Sequence, residues 1–120
     1  RSLMKKPKVI IKVAAVLWVC IVSLSTVRAD GKEIYKAQCL KCHGTEGKGD
    51  GPTATMLKLP KVGNLSDKES MKQYSDEDLF KIITEGGSAF GKSKVMPSYK
   101  NKLSEDEIRL LMEFLKTLAK

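Results

Sequence analysis

Cys39-Leu40-Lys41-Cys42-His43 reads C-x-x-C-H. Two thiols three positions apart can each add across a haem vinyl group, forming two thioether bonds to one edge of a porphyrin. The histidine directly after the second cysteine is then held beneath the ring, where its Nε2 can bind the iron. The spacing marks a c-type haem attachment site, with Cys39 and Cys42 as covalent anchors of one haem c and His43 as an iron ligand. A dithiol redox pair shares the C-x-x-C spacing, but it belongs to a fold in which strands alternate with helices. No strand pattern of useful length occurs in this chain. A structural zinc site needs four ligands, and two cysteines with one histidine supply three.

Outward from the motif, the composition bounds the rest. The 120 residues allow one small domain, and the formal net charge is +8. Arg1, Lys5, Lys6, Lys8, Lys12 and Arg28 fall within residues 1–29, which hold no acid, so residues 30–120 carry only +2. The basic excess belongs to the N-terminal segment, and a nucleic-acid partner is not expected. That segment has the parts of a secretory signal peptide. Met4-Lys5-Lys6-Pro7-Lys8 leads into the uncharged run Val13 to Val27, and Val27-Arg28-Ala29 offers a cleavage site. Cleavage after Ala29 is expected, with one mature domain at 30–120; Met4 begins a more usual signal than Arg1, which would make Arg1-Ser2-Leu3 a start-site artefact. The run is about 15 residues, short of the ~20 that span a bilayer. An uncleaved anchor is the alternative, with Val9 to Val27 spanning the membrane while Lys12 snorkels. Cys20 sits in the run without the small preceding residues of a lipoprotein site. Cys39 and Cys42 are then the only thiols of the exported chain, so no disulfide framework is expected.

A mature chain of about 91 residues has a marginal core by itself. Its aromatic residues are few: Tyr35, Tyr74, Phe80, Phe90, Tyr99 and Phe114, with the single Trp18 in the signal. A buried haem would supply the missing apolar mass. Three segments carry helix signals. The first starts at Asp30, with Asp30-x-x-Glu33 as a capping box, and runs into the motif. The second starts at Ser75 with Asp78 as its partner, carries Leu79, Phe80, Ile82 and Ile83, and stops at Gly86-Gly87. The third starts at the Ser104-x-x-Glu107 box, with Ile108, Leu111, Met112, Leu115 and Leu118 at helical spacing. From His43 to Leu65 the glycines and prolines predict a loop without regular structure. Ser66 to Met71 adds a short helical turn, and Gly86 to Tyr99 is a second glycine-rich loop. The fold class is all-α: three main helices and long loops wrapped around one covalently bound haem.

His43 is the only histidine, so a second protein ligand to the iron must be methionine, lysine or the terminal amine. Met4 leaves with the signal and Met112 belongs to the apolar face of the last helix. Met56 and Met71 lie in polar, turn-rich surroundings. Met96 precedes Pro97, which disfavours helix there and leaves the residue extended and able to turn its sulfur inward. Met96 is therefore the expected sixth ligand, since His/Met is a standard pairing in electron-transfer haem. A haem-ligating histidine donates its other ring N–H to a carbonyl. Pro52 is the expected source of that carbonyl, with Pro60 as the alternative.

The chain from Asp30 onward resembles the class I c-type cytochromes. The resemblance rests on Gly31 and Tyr35 before the C-x-x-C-H-Gly44 motif, and on Gly49-Asp50-Gly51-Pro52. It continues through Met96-Pro97-Ser98-Tyr99 and Leu103-Ser104-Glu105-Asp106-Glu107-Ile108. It implies a cytochrome c-like fold whose first and last helices meet, with Gly31 permitting close approach and Tyr35 facing Leu111, Phe114 and Leu115. It also implies His43 and Met96 as axial ligands. The resemblance implies a small soluble electron carrier. With the export signal and both axial positions taken, the expected function is a periplasmic or otherwise exported monomer, not an enzyme, that passes one electron between redox proteins of a respiratory or photosynthetic chain. Lys41, Lys48, Lys92 and Lys94 flank the ligand loops and would meet an acidic docking surface. The alternatives are a haem sensor or small-ligand binder with an open sixth site, or a membrane-anchored subunit of a larger oxidoreductase.

Overall fold

In the computed structural model, which describes residues 29–60 and 62–120, the first helix starts where its cap lies in the sequence. Asp30 is the N-cap of α1 (Gly31–Gln38), and its carboxylate accepts from the Lys32 backbone N–H at 3.3 Å. The reciprocal bond of a capping box is not made. Glu33 turns instead to Lys36, 2.8 Å away on the same solvent face. One residue beyond α1, the chain re-enters a single helical turn, α2 (Leu40–His43), so the haem motif is continuous with the first helix. The expected signal segment and Cys20 lie outside the described residues.

The stretch after the motif corrects the expectation of an unstructured loop. Residues Pro52–Met56 form a short helix, α3, packed against α2. Proline at the first helical turn loses no hydrogen bond, because that N–H has no intrahelical partner anyway. The breakers therefore bracket a helix here; they do not exclude one. The short turn expected near Ser66 forms slightly later, as α4 (Lys68–Lys72), where Asp67 caps Ser70 N–H at 3.0 Å.

Both remaining capping boxes form as their sequences specify. Ser75 and Asp78 open α5 (Asp76–Glu85), and Ser104 and Glu107 open α6 (Glu105–Leu118). The Gly86 N–H closes α5 on Ile82 O at 2.9 Å, and a 3-10 turn over Gly87–Phe90 follows directly. No strand occurs among the described residues.

One apolar cluster holds these elements together. It comprises Ile34 and Tyr35 of α1, Leu79 and Ile83 of α5, Tyr99, and Ile108, Leu111, Met112 and Leu115 of α6. Helix α6 contributes most because its apolar residues recur at three- and four-residue spacing on one face. The α1–α6 contact is a close one. A Cβ on Gly31 would overlap the Leu110 carbonyl and sit 2.7 Å from its carbon, so only hydrogen fits there. Beside it the Tyr35 and Phe114 rings meet at 5.2 Å, tilted by 53°. Burying each such large side chain contributes roughly 1.5–3 kcal/mol relative to exposure.

Two substitutions should separate the packing contribution from the local one. Gly31→Val forces α1 away from α6 and should cost about 3 kcal/mol, the upper end for overpacking, because the obstacle is backbone. Ser104→Ala removes only a cap and should cost about 1 kcal/mol. Chemical denaturation of the holoprotein measures both, and near-equal losses would contradict the close-approach role of Gly31.

Candidate haem-binding site

The motif occupies the junction of α1 and α2, and its backbone is held on all sides. Tyr35 Oη donates to Gly44 O at 2.6 Å from one face, and Tyr99 Oη donates to Gln38 O at 2.9 Å from another. Gly51 N–H donates to Cys42 O at 3.1 Å, and Gly49 N–H to His43 O at 2.8 Å. Both tyrosine hydroxyls are pushed up to about 12, first by burial and then by Cys39, with Asp50 adding to the rise at Tyr35 and Cys42 at Tyr99, so they stay protonated as donors.

Cys39 and Cys42 are both free thiols and both half-buried. Burial, with Cys42 alongside, pushes Cys39 up to about 12, so it is a neutral thiol at pH 7. His43 is the informative residue. Its Nδ1 lies 3.1 Å from Gly63 O. A carbonyl can only accept, so Nδ1 carries the proton and Nε2 is left with its lone pair. Burial lowers the His43 pKa and outweighs the opposing effect of the Gly63 bond, which favours the neutral ring that a metal needs.

The carbonyl that holds His43 corrects the proline expectation. It belongs to Gly63, and neither Pro52 nor Pro60 is the partner. Pro52 is exposed at the head of α3, where its carbonyl is turned along the helix axis. Gly63 lies twenty residues beyond His43, and a main-chain carbonyl carries no side-chain signature. Nothing in the sequence marks it. The two tyrosine bonds to Gly44 O and Gln38 O escape a sequence reading for the same reason.

The methionines separate by environment. Met112 is 5% exposed within the core, and Met56 is 74% exposed on α3. Met71 packs at the edge of the core beside a cavity lined by Lys68, Lys72, Tyr74 and Leu79, away from the motif. Met96 is half-buried against the same core as Cys39 and Leu40. Its loop runs back along the end of α5. Gly87 N–H donates to Met96 O at 3.1 Å, Tyr99 N–H to Ile83 O at 3.1 Å, and Ser98 Oγ to Thr84 O at 2.6 Å. The Tyr99–Gln38 bond then ties this loop to the residue preceding Cys39.

These donors fit haem c. The motif offers two thiols three residues apart, an imidazole whose Nε2 is free, and apolar surroundings from Leu40 and the core. Among the described residues, no group of three or more His, Cys, Asp or Glu is placed to hold a bare metal ion. Cys39 and Cys42 would carry the thioether bonds, and the iron of the bound haem would lie over His43.

Comparison with known proteins agrees with this chemistry. No curated protein matches the chain. A solved structure, the KustC0563 c-type cytochrome, superposes with a TM-score of 0.61 at 25% identity, covering 77% of this chain and 100% of that one. The family model for Cytochrome c matches residues 28–119, which takes in the motif, both tyrosine braces, the Met96 loop and α6. Built around a covalently held haem c, the chain belongs to the cytochrome c family.

Proposed function

We infer that the chain is an exported monohaem c-type cytochrome that carries one electron at a time between redox proteins of a respiratory or photosynthetic chain. The observation that carries this reading is the Tyr99 Oη bond to Gln38 O, at 2.9 Å. It fastens the Met96 loop to the start of the haem motif and so supports a ligand pair drawn from both. The bound haem supplies the redox couple, its iron passing between the ferric and ferrous states. His43 presents Nε2, fixed by the Gly63 carbonyl. Met96 would supply a sulfur ligand to the iron, which raises the potential and suits a high-potential acceptor. With His43 and Met96 both ligating, the iron would have no open position for substrate, which supports a carrier and not an enzyme.

The basic, apolar N-terminal sequence supports export with cleavage after Ala29, and among the described residues no helix is long and apolar enough to cross a membrane. The four lysines that flank the ligand loops differ in their pairing. Lys48 is paired with Glu46 at 2.6 Å, while Lys41 and Lys94 have no ion pair among the described residues. Lys92 lies over the Tyr74 ring at 4.7 Å and also donates to its hydroxyl. Lys41, Lys92 and Lys94 would face an acidic redox partner.

Acid–acetone extraction of the holoprotein should leave the colour with the polypeptide, and a haem that partitions into the solvent would exclude thioether attachment. Met96→Ala should abolish the weak far-red band of a sulfur–iron bond and open the iron to cyanide. Met112→Leu should leave the spectrum alone and cost under ~1.5 kcal/mol as a near volume-conserving core change. A band that survives Met96→Ala but vanishes on substitution of Met71 or Met56 would reassign the ligand. With the native partner, the association rate should fall steeply with ionic strength if Lys41, Lys92 and Lys94 steer docking. Charge-neutral docking would give a flat dependence.

A further inference from the structure

The bond that orients His43 comes from a strap, residues 62–66, that has no regular structure of its own. A carbonyl on an unsupported loop would not hold an imidazole in one orientation. Here the strap is fixed from two sides. On one side is the turn after the motif. Leu65 N–H donates to Gly47 O at 2.6 Å, and a Cβ on Gly49 would sit 2.7 Å from Val62 O and 3.5 Å from Gly63 O. Gly49 has φ +82°, a conformation that favours glycine, so both its backbone shape and its missing side chain let the strap lie close. On the other side is the end of α6. Leu118 Cδ1 lies 3.2 Å and Leu65 Cβ 3.0 Å from the point a Gly47 Cβ would occupy, and both leucines pack against the core. The Lys120 N–H donates to Ser66 O at 3.1 Å, closing the strap onto the residues after the helix.

We propose that Gly49 and Leu118 are positioning residues for His43: they clamp the strap whose Gly63 carbonyl orients the imidazole, so the last turn of α6 tunes the haem. The proposal rests on His43 being the iron ligand. A carbonyl that accepts from Nδ1–H places more electron density on Nε2, and a more basic ligand favours ferric iron. Loosening the strap weakens that donation and shifts the midpoint potential upward. Gly49 also meets the motif directly, its N–H donating to His43 O. The hold that Gly49 and Leu118 have on the imidazole passes through the main chain of the strap.

The test compares Leu118→Ala, Leu118→Met and Ser104→Ala in the haem-loaded protein. Ser104→Ala weakens the opposite end of α6 and leaves the strap untouched. Midpoint potential is measured by redox titration, and exchange of the His43 Nδ1 proton by NMR of the ferrous, nitrogen-15-labelled protein. Leu118→Ala should raise the potential and speed that exchange about tenfold through local opening. Leu118→Met, near in volume, should restore both, and Ser104→Ala should change neither. An iron-bound His43 whose exchange and potential are unmoved by Leu118→Ala would overturn the clamp alone. A wild-type His43 spectrum of free imidazole would overturn the ligand reading, and the proposal with it.

Discussion

At Gly31, α1 lies on the Leu110–Phe114 turn of α6 with no room for a side chain. Everything at the haem motif is referred to that contact. Helix α1 runs without a loop into Cys39, so fixing α1 on α6 fixes the thiols and His43 relative to the core. Tyr35 extends the same contact. Its ring packs on Phe114 and its hydroxyl reaches Gly44, the residue after His43. A shift of α1 along α6 would therefore move the anchors, the imidazole and the carbonyl network together.

The two candidate ligand residues are held by different means. His43 sits in a helical turn, with its Nδ1 3.1 Å from the Gly63 carbonyl. Met96 sits in a loop with no helix of its own. It is pinned along the end of α5 by backbone bonds to Gly87 and Ile83 and tied to α1 through Tyr99. The core beneath both consists of apolar side chains, and no polar or charged residue is fully buried among the described residues. A low-polarity floor of this kind limits the reorganisation of charge when an electron arrives. Surface ion pairs such as Glu33–Lys36 and Glu69–Lys72 are exposed and contribute little to stability. Their importance is in which lysines they leave uncompensated.

Local chemistry was legible in the sequence wherever a few consecutive residues carried the information. The C-x-x-C-H spacing fixed the cofactor and its anchors. The boxes Ser75–Asp78 and Ser104–Glu107 located two helix starts, because a cap is a bond between residues three apart. The apolar spacing of α6 named its buried face, and Gly31 was identified as a close-approach residue through resemblance. The failures were of two kinds. Asp30–Glu33 was a capping box by pattern only, since Lys36 competed for the same carboxylate, and Pro52 read as a breaker although proline is at home in a first helical turn.

What only the tertiary structure decided were contacts between segments far apart in the chain whose partner is main chain. Gly63 O on His43 Nδ1, Gln38 O under Tyr99 and Ser66 O at Lys120 all involve carbonyls that every residue possesses. Side-chain identity cannot announce them, and spacing cannot either, because a loop of twenty residues reaches many places. Motif and periodicity named the haem anchors and the three main helices by themselves. The orientation of the imidazole, and the route by which α6 reaches it, came from how the loops close around the core.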